Sequence, residues 1–256
     1  MHIKLKNDKQ YQKIIYFGLI FSFEIIFIFC SFIWAEYAKH LIVREIIFST
    51  TKIIKTDEYA PIFDKLIGSD YADVNLKILT ENLENHPYVF ASRVSYHFPG
   101  KIYVEIIERE PIAILNTNPM IMLDKEGYVL PNLENILSFS LPTLSNFNSS
   151  DELYPSGEKV LSVNVKRSIE WLKRIQKDYP HIYDDLSEIR QTSENNIELI
   201  LSEEPTKILL GNDGILEKIE ILNQFSSNLN PKHVLAKFSY LDMRYSNQII
   251  AKERRS

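Results

Sequence analysis

Cysteine is almost missing: 256 residues contain one, Cys30, and it lies inside an apolar run. No disulfide can therefore staple a domain of this chain, even in an oxidising compartment, so stability has to come from ordinary cores. Glycine is scarce as well, at 7 residues, and none of them builds a phosphate loop. Leu209-Leu210-Gly211-Asn212-Asp213-Gly214 lacks the Lys-Ser/Thr such a loop needs and reads as a strand-to-helix turn. The histidines, at 2, 40, 86, 97, 181 and 233, show no metal-ligand spacing, and no Gly-x-Ser-x-Gly or zinc pattern occurs. No metal, cofactor or small-molecule substrate is implied. Basic charge is also in deficit. Setting aside residues 1–35, with four lysines and two acids, leaves 25 basic against 32 acidic residues, a net −7. That balance argues against nucleic acid as a partner.

What the chain does have is one long apolar stretch at its start. Residues 14–35 carry a single charge, Glu24. A helix of that length is about 33 Å long, enough to cross a hydrocarbon core of about 30 Å. The run is too long for the core of a cleaved signal peptide, and no small-x-small pair precedes a cut near Ala35 or Ala38. Ile, Phe and Leu occupy all its faces, which disfavours a buried helix with one apolar stripe. It reads as an uncleaved membrane anchor.

Lys4, Lys6, Lys9 and Lys13 precede the anchor, whereas the thirteen residues after Ala35 bring only Lys39 and Arg44. The bias places residues 1–13 in the cytoplasm and the bulk of the chain outside, a type II arrangement. Attraction to anionic headgroups accounts for the basic tail. Trp34 and Tyr37 at one end, with Tyr11 and Tyr16 at the other, suit the two interfaces. Glu24 is expensive at mid-span, on the order of 2.5–3.5 kcal/mol, against about 0.3–0.6 gained per Ile, Leu or Phe. Two readings stay open for it: an intramembrane contact with a partner's helix, or a carboxyl facing lipid or a small defect.

Beyond the anchor the pattern predicts an α+β chain. Leu41-Ile42-Val43 with Ile46-Ile47-Phe48 suggests a strand, followed by helices over about 57–67 and 75–85. Leu76, Leu79 and Leu83 give the second helix a buried face, and Pro87 lies just past its end. Two alternating runs, 89–98 and 101–108, meet at Pro99-Gly100 as a hairpin. In residues 114–256, strands alternate with two helices. The first is capped by Asn164, with Val165, Ile169, Leu172 and Ile175 on one face, and ends near Pro180. Strands are expected at 186–193, 197–202 and 206–210, with Glu194-Asn195-Asn196 as a turn. The second helix, about 213–226, has Ile215, Ile219, Leu222 and Phe225 on one side and Asp213 or Asn212 as its cap. Taken alone, Glu108-Arg109-Glu110-Pro111 reads as a strand stop with solvated flanking charges.

The order β-α-α-β-β directly after an anchor resembles a POTRA domain, here residues 40–113. The stretch from Val94 through Phe98-Pro99-Gly100 to Glu108-Arg109-Glu110-Pro111-Ile112-Ala113 is similar to that of the FtsQ/DivIB division proteins. Those proteins continue with a strand, an Asp-x-x-Gly turn and another strand, matched here by 120–123, Asp124-Lys125-Glu126-Gly127 and 128–130. Leu141-Pro142-Thr143-Leu144 resembles their later Leu-Pro-x-Leu. The end of the chain, 238–252, looks like their closing strand pair, in which an Asp-apolar-Arg-Tyr motif precedes a terminal strand.

That resemblance implies a β domain over 114–256 whose terminal strand binds FtsB/DivIC-like and, through them, FtsL-like bitopic partners. It also implies contacts of the POTRA domain with other division proteins. The function implied is a non-catalytic scaffold at the septum in the bacterial inner membrane. Asp242, Arg244 and Tyr245 match the motif; Asn247 and Gln248 stand where small residues are common. Tyr240, Asp242, Arg244, Tyr245, Asn247 and Ile249 are the candidate partner-binding residues. Arg244 could fork onto a partner carboxylate while Tyr245 supplies area, or the first could be a surface ion pair and the second core. A POTRA-bearing translocation or envelope-assembly factor is the alternative function, because the fold does not fix it. An extracytoplasmic glycan hydrolase, with carboxylates gathered from distant strands, is a weaker one.

Overall fold

The computed structural model describes residues 2–37, 41–131, 133, 139–202, 204–229, 235–245 and 248–254. It is a mixed α+β protein with one N-terminal apolar helix and two β-sheets. Its contacts divide it into two compact units, 1–85 with 91–107 and 86–90 with 108–256.

In the first unit, α1 (His2–Tyr37) is one uninterrupted helix. Its stretch Tyr11–Tyr37 is long and apolar enough to cross a membrane, and helix runs on through the basic residues before it. β1 (Glu45–Phe48) is shorter than the expected run. Ile42 instead bridges antiparallel to Asp70, and Val43 exchanges backbone hydrogen bonds with the 68–69 turn. The helix expected over 57–67 is absent. Two 3-10 turns, Thr56–Glu58 and Ala60–Ile62, take its place and continue in further i to i+3 bonds. Pro61 is the cause: it has no N–H for the carbonyl of Asp57, and its ring would meet that carbonyl in an α-helix.

The next expected helix is present as α2 (Leu76–Glu84), with Leu79 and Leu83 buried. Asn75 caps it, its side chain accepting from Lys77 and Ile78 N–H. The hairpin forms from β2 (Val89–His97) and β3 (Lys101–Glu108), and the sheet order is β1-β3-β2 with β1 parallel to β3. Gly100 takes φ +72° at the turn, and a Cβ there would lie 2.9 Å from the Ile42 carbonyl oxygen.

The second unit is built on a nine-stranded sheet. Its strands are β4 (Pro111–Leu115), β5 (Ile121–Asp124), β6 (Val129–Leu130), β7 (Thr143–Ser145), β8 (Leu186–Gln191), β9 (Ile197–Leu201), β10 (Lys207–Gly211), β11 (Phe238–Asp242) and β12 (Ile250–Glu253). They lie in the order β12-β11-β10-β9-β8-β7-β4-β5-β6. Among the described residues three helices accompany it, not two: α3 (Val163–Asp178), α4 (Pro180–Asp185) and α5 (Ile215–Asn228). Tyr179 leaves the helical region at the end of α3, and Pro180, suited to a first helical position, starts the short α4.

Two expected caps move. Ser162, not Asn164, caps α3 by accepting from Val165 N–H. Gly214, at φ +56° and with no side-chain cap, precedes α5. Asp213 is drawn away instead by Lys218 Nζ at 3.0 Å. The core joins Val165, Ile169, Leu172 and Ile175 of α3, and Ile215, Ile219 and Leu222 of α5, to strand residues such as Leu144, Ile189, Leu199, Ile208 and Leu241. The Tyr183 hydroxyl donates to the Ile112 carbonyl within it, and burial pushes that phenol up to about 12.

Candidate functional site

β10 and β11 are parallel, so the chain between them must cross over, and α5 is that crossover. A single hairpin return then lays β12 antiparallel on β11, with Tyr240 opposite Lys252, Leu241 opposite Ala251 and Asp242 opposite Ile250. β12 is the last strand of the sheet, and all four of its residues are exposed. Its free side presents the backbone N–H and C=O groups of alternate residues, the template a further strand would use. The Arg254 guanidinium secures its end, donating to the carbonyls of Ala236 and Phe238 and lying 3.7 Å from Glu204.

The candidate residues divide by role. Asp242 ends β11 and is buried; its carboxylate accepts from Arg244 Nε at 2.9 Å, Arg244 Nη2 at 2.6 Å and the Arg244 backbone N–H at 3.1 Å. The hydrogen bond from Arg244 holds this carboxyl below the usual Asp range, against the opposing effect of its burial. The forked pair expected across an interface is thus made within the chain. Tyr245 is not core: it is 52% exposed. Tyr240 sits mid-strand with Lys252 Nζ 5.7 Å from its ring centroid. Ile249 packs partly against the core, whereas Ile250 is 44% exposed. Asn247 lies outside the described residues.

A groove of about 660 Å³ runs beside this edge, between α5 and residues 243–245 with 248–249. Ile221, Gln224 and Phe225 line one wall; Met243, Tyr245 and Ile249 line the other. Lys218 closes one end, donating to the Leu210 carbonyl at 2.7 Å and to Asp213, whose carboxyl it lowers. Sequence reasoning placed α5 by its core face and missed this groove. The usable signal was Ile221, an apolar residue off the Ile215-Ile219-Leu222 face, which is 43% exposed.

Arg109 was misread by pattern as well. Its side chain is 13% exposed and meets Asp124, 3% exposed, at 2.9 Å. The Tyr128 ring lies 3.7 Å from the guanidinium and the Phe90 ring 5.6 Å. Asp124 also accepts from the N–H groups of Glu126 and Tyr128, which shapes the turn at Gly127. The strand stop is there, β3 ending at Glu108, and Pro111 begins the next strand, opposite Asp124. The Glu-Arg-x-Pro and Asp-x-x-Gly segments therefore meet at one joint, held by the nearly buried Arg109–Asp124 pair while Glu110 and Glu126 stay exposed.

The family model described as FtsQ/DivIB, C-terminal related, matches residues 110–252, from that joint to the edge strand. The chain belongs to the FtsQ/DivIB family. It is 24% identical over 199 residues to the cell division protein FtsQ of Syntrophotalea carbinolica, covering 78% of this chain and 69% of that one. The FtsQ of Geobacter sp. strain M21 is 22% identical over 205 residues, covering 80% and 73%. Cell division protein DivIB of Clostridium tetani is 23% identical over 180 residues, covering 67% and 64%. Among the described residues no group of three His, Cys, Asp or Glu side chains is placed to hold a metal ion.

Proposed function

We propose that this FtsQ/DivIB-family chain is a non-catalytic, single-pass scaffold of the bacterial division site, and that its β12 edge receives a strand from a bitopic division partner. In this reading residues 1–13 are cytoplasmic, 14–35 cross the inner membrane, 40–113 form a POTRA domain and 114–256 form the partner-binding β domain. The order β1, 3-10 turns, α2, β2, β3 with the sheet β1-β3-β2 supports the POTRA assignment. FtsB/DivIC-like and FtsL-like proteins are the partners, and holding them would link early division proteins to those that control septal peptidoglycan synthesis.

The observation that carries the reading is the exposed terminal edge flanked by Tyr245 and Ile250. Strand addition draws affinity from backbone bonds and selectivity from neighbouring side chains, and a buried aromatic anchor at an interface is commonly worth about 2 kcal/mol or more. Because Arg244 already serves Asp242, recognition is assigned to Tyr245, Ile250 and the β12 backbone. Tyr245→Ala with Ile250→Thr, which keeps a β-branched residue opposite Asp242, should reduce recovery of FtsB-like partners from membranes at least tenfold, while the unfolding midpoint stays within about 2 °C. Undiminished recovery by a folded double variant would refute the assignment.

A further inference from the structure

Lys207 on β10, Tyr240 on β11 and Lys252 on β12 stand directly opposite one another on three adjacent strands. Their neighbours Ile208 and Leu241 belong to the core, so this row lies on the other face of the sheet. Both lysines are exposed, and among the described residues neither has an ion pair, although acids outnumber bases beyond residue 35. Other cations of this part of the sheet are neutralised within the chain: Arg244 by Asp242, Arg190 by Glu188 and Arg254 by Glu204. Lys252 Nζ lies 5.7 Å from the Tyr240 ring centroid, a contact that leaves its charge uncompensated. A lysine on an edge strand obstructs pairing by any strand that cannot neutralise it. Lys252 therefore filters what β12 can receive.

A strand added to β12 extends the row, which brings one of its side chains beside Lys252. Two residues along, another comes beside Ile250 on the same face. We infer that the partner strand carries an Asp or Glu beside Lys252 and an apolar residue beside Ile250, two positions apart. Opposite charges across neighbouring strands attract and like charges repel, so the carboxylate completes the row that Lys207, Tyr240 and Lys252 begin. A strand with Lys or Arg at that position is turned away. This inference rests on the proposed role of the β12 edge and adds the chemistry of the strand it selects.

The test uses the full chain in membranes. Lys252→Glu should lower recovery of FtsB-like partners roughly tenfold, because it sets like charges side by side, and Lys252→Arg should retain it. Lys177→Glu, which reverses an exposed cation on α3 that has no ion pair among the described residues, should leave recovery unchanged. Carbodiimide, which couples an amine to a carboxylate in contact with it, should link Lys252 to an Asp or Glu of the recovered partner, two residues from an apolar one. That product should vanish in Lys252→Arg although the partner is still captured. Undiminished recovery with Tyr245→Ala and Ile250→Thr would sink the edge reading itself. Loss of the partner in that double variant but not in Lys252→Glu, or a captured partner whose carboxylates never couple to Lys252, would overturn this inference alone.

Discussion

Replacing Arg109 by Met removes one half of a charge pair whose other half stays buried. Asp124 retains its two backbone donors from Glu126 and Tyr128, so the loss should fall at the lower end of the range for breaking a buried pair, about 3–5 kcal/mol. Asp124→Asn preserves the acceptor that shapes the turn and should cost less, on the order of 1–3 kcal/mol. The decisive quantity is the coupling. If the two side chains stabilise the second unit through each other, the double variant should cost less than the two single losses together by about 1–3 kcal/mol.

For a unit of this size each kcal/mol moves the unfolding midpoint by about 2–4 °C. Arg109→Met should therefore lower it by roughly 6–12 °C. The assay is thermal unfolding of the detergent-solubilised chain followed by fluorescence. The chain's tryptophans are Trp34, in α1, and Trp171, in α3 of the second unit. Trp34→Phe leaves Trp171 as the reporter. Additive single losses, or a drop of under about 2 °C for Arg109→Met, would show that the joint is a solvated ion pair of little weight.

Gly100→Ala should destabilise the hairpin unit by about 2 kcal/mol or more, because the turn needs a left-handed φ and the new methyl would meet the Ile42 carbonyl oxygen at 2.9 Å; faster hydrogen exchange of the β2 and β3 amides is the readout. The Asp242–Arg244 fork should be pH-dependent with a defined sign. Its carboxyl titrates below the usual value in the folded chain, so its stabilising contribution is complete above about pH 3.9 and is lost as pH falls through the folded value. The stability gap between the native chain and Asp242→Asn should therefore be equal at about pH 7 and pH 5 and close only as pH falls below the usual Asp value; a gap that closes already at pH 5 would contradict the geometry.

What could be read in advance follows from range in sequence. The α2 face, the hairpin at Pro99-Gly100 and the core faces of α3 and α5 each follow from a local period, and the structure places them where the pattern did. The failures lie where two signals compete over a few residues. Pro61 overrides the helix expected over 57–67, a serine two residues upstream takes the α3 cap from Asn164, and Lys218 removes Asp213 from the α5 terminus. Arg109 and Ile221 were opaque for a different reason. Each owes its surroundings to chain brought from elsewhere: Asp124 and Tyr128 in one case, Met243, Tyr245 and Ile249 in the other.

Two arginine–aspartate pairs therefore serve this chain in opposite ways. Arg109 and Asp124 are fifteen residues apart and nearly sealed from solvent, so their bond ties the start of β4 to the turn after β5, and the arginine is unavailable to any partner. Arg244 and Asp242 are two residues apart, and closing so short a loop demands little order. Their fork defines the chain's path out of β11 and leaves Tyr245 exposed beside the groove. Charge reversal at Arg244 would strand the buried Asp242 carboxylate, so a loss of partner capture in that variant would report a collapsed turn as readily as a missing contact. Tyr245 follows Arg244 and Ile250 lies opposite Asp242, but both side chains are exposed and neither bonds to the fork, so neutral changes there are the ones at which recognition can be separated from folding.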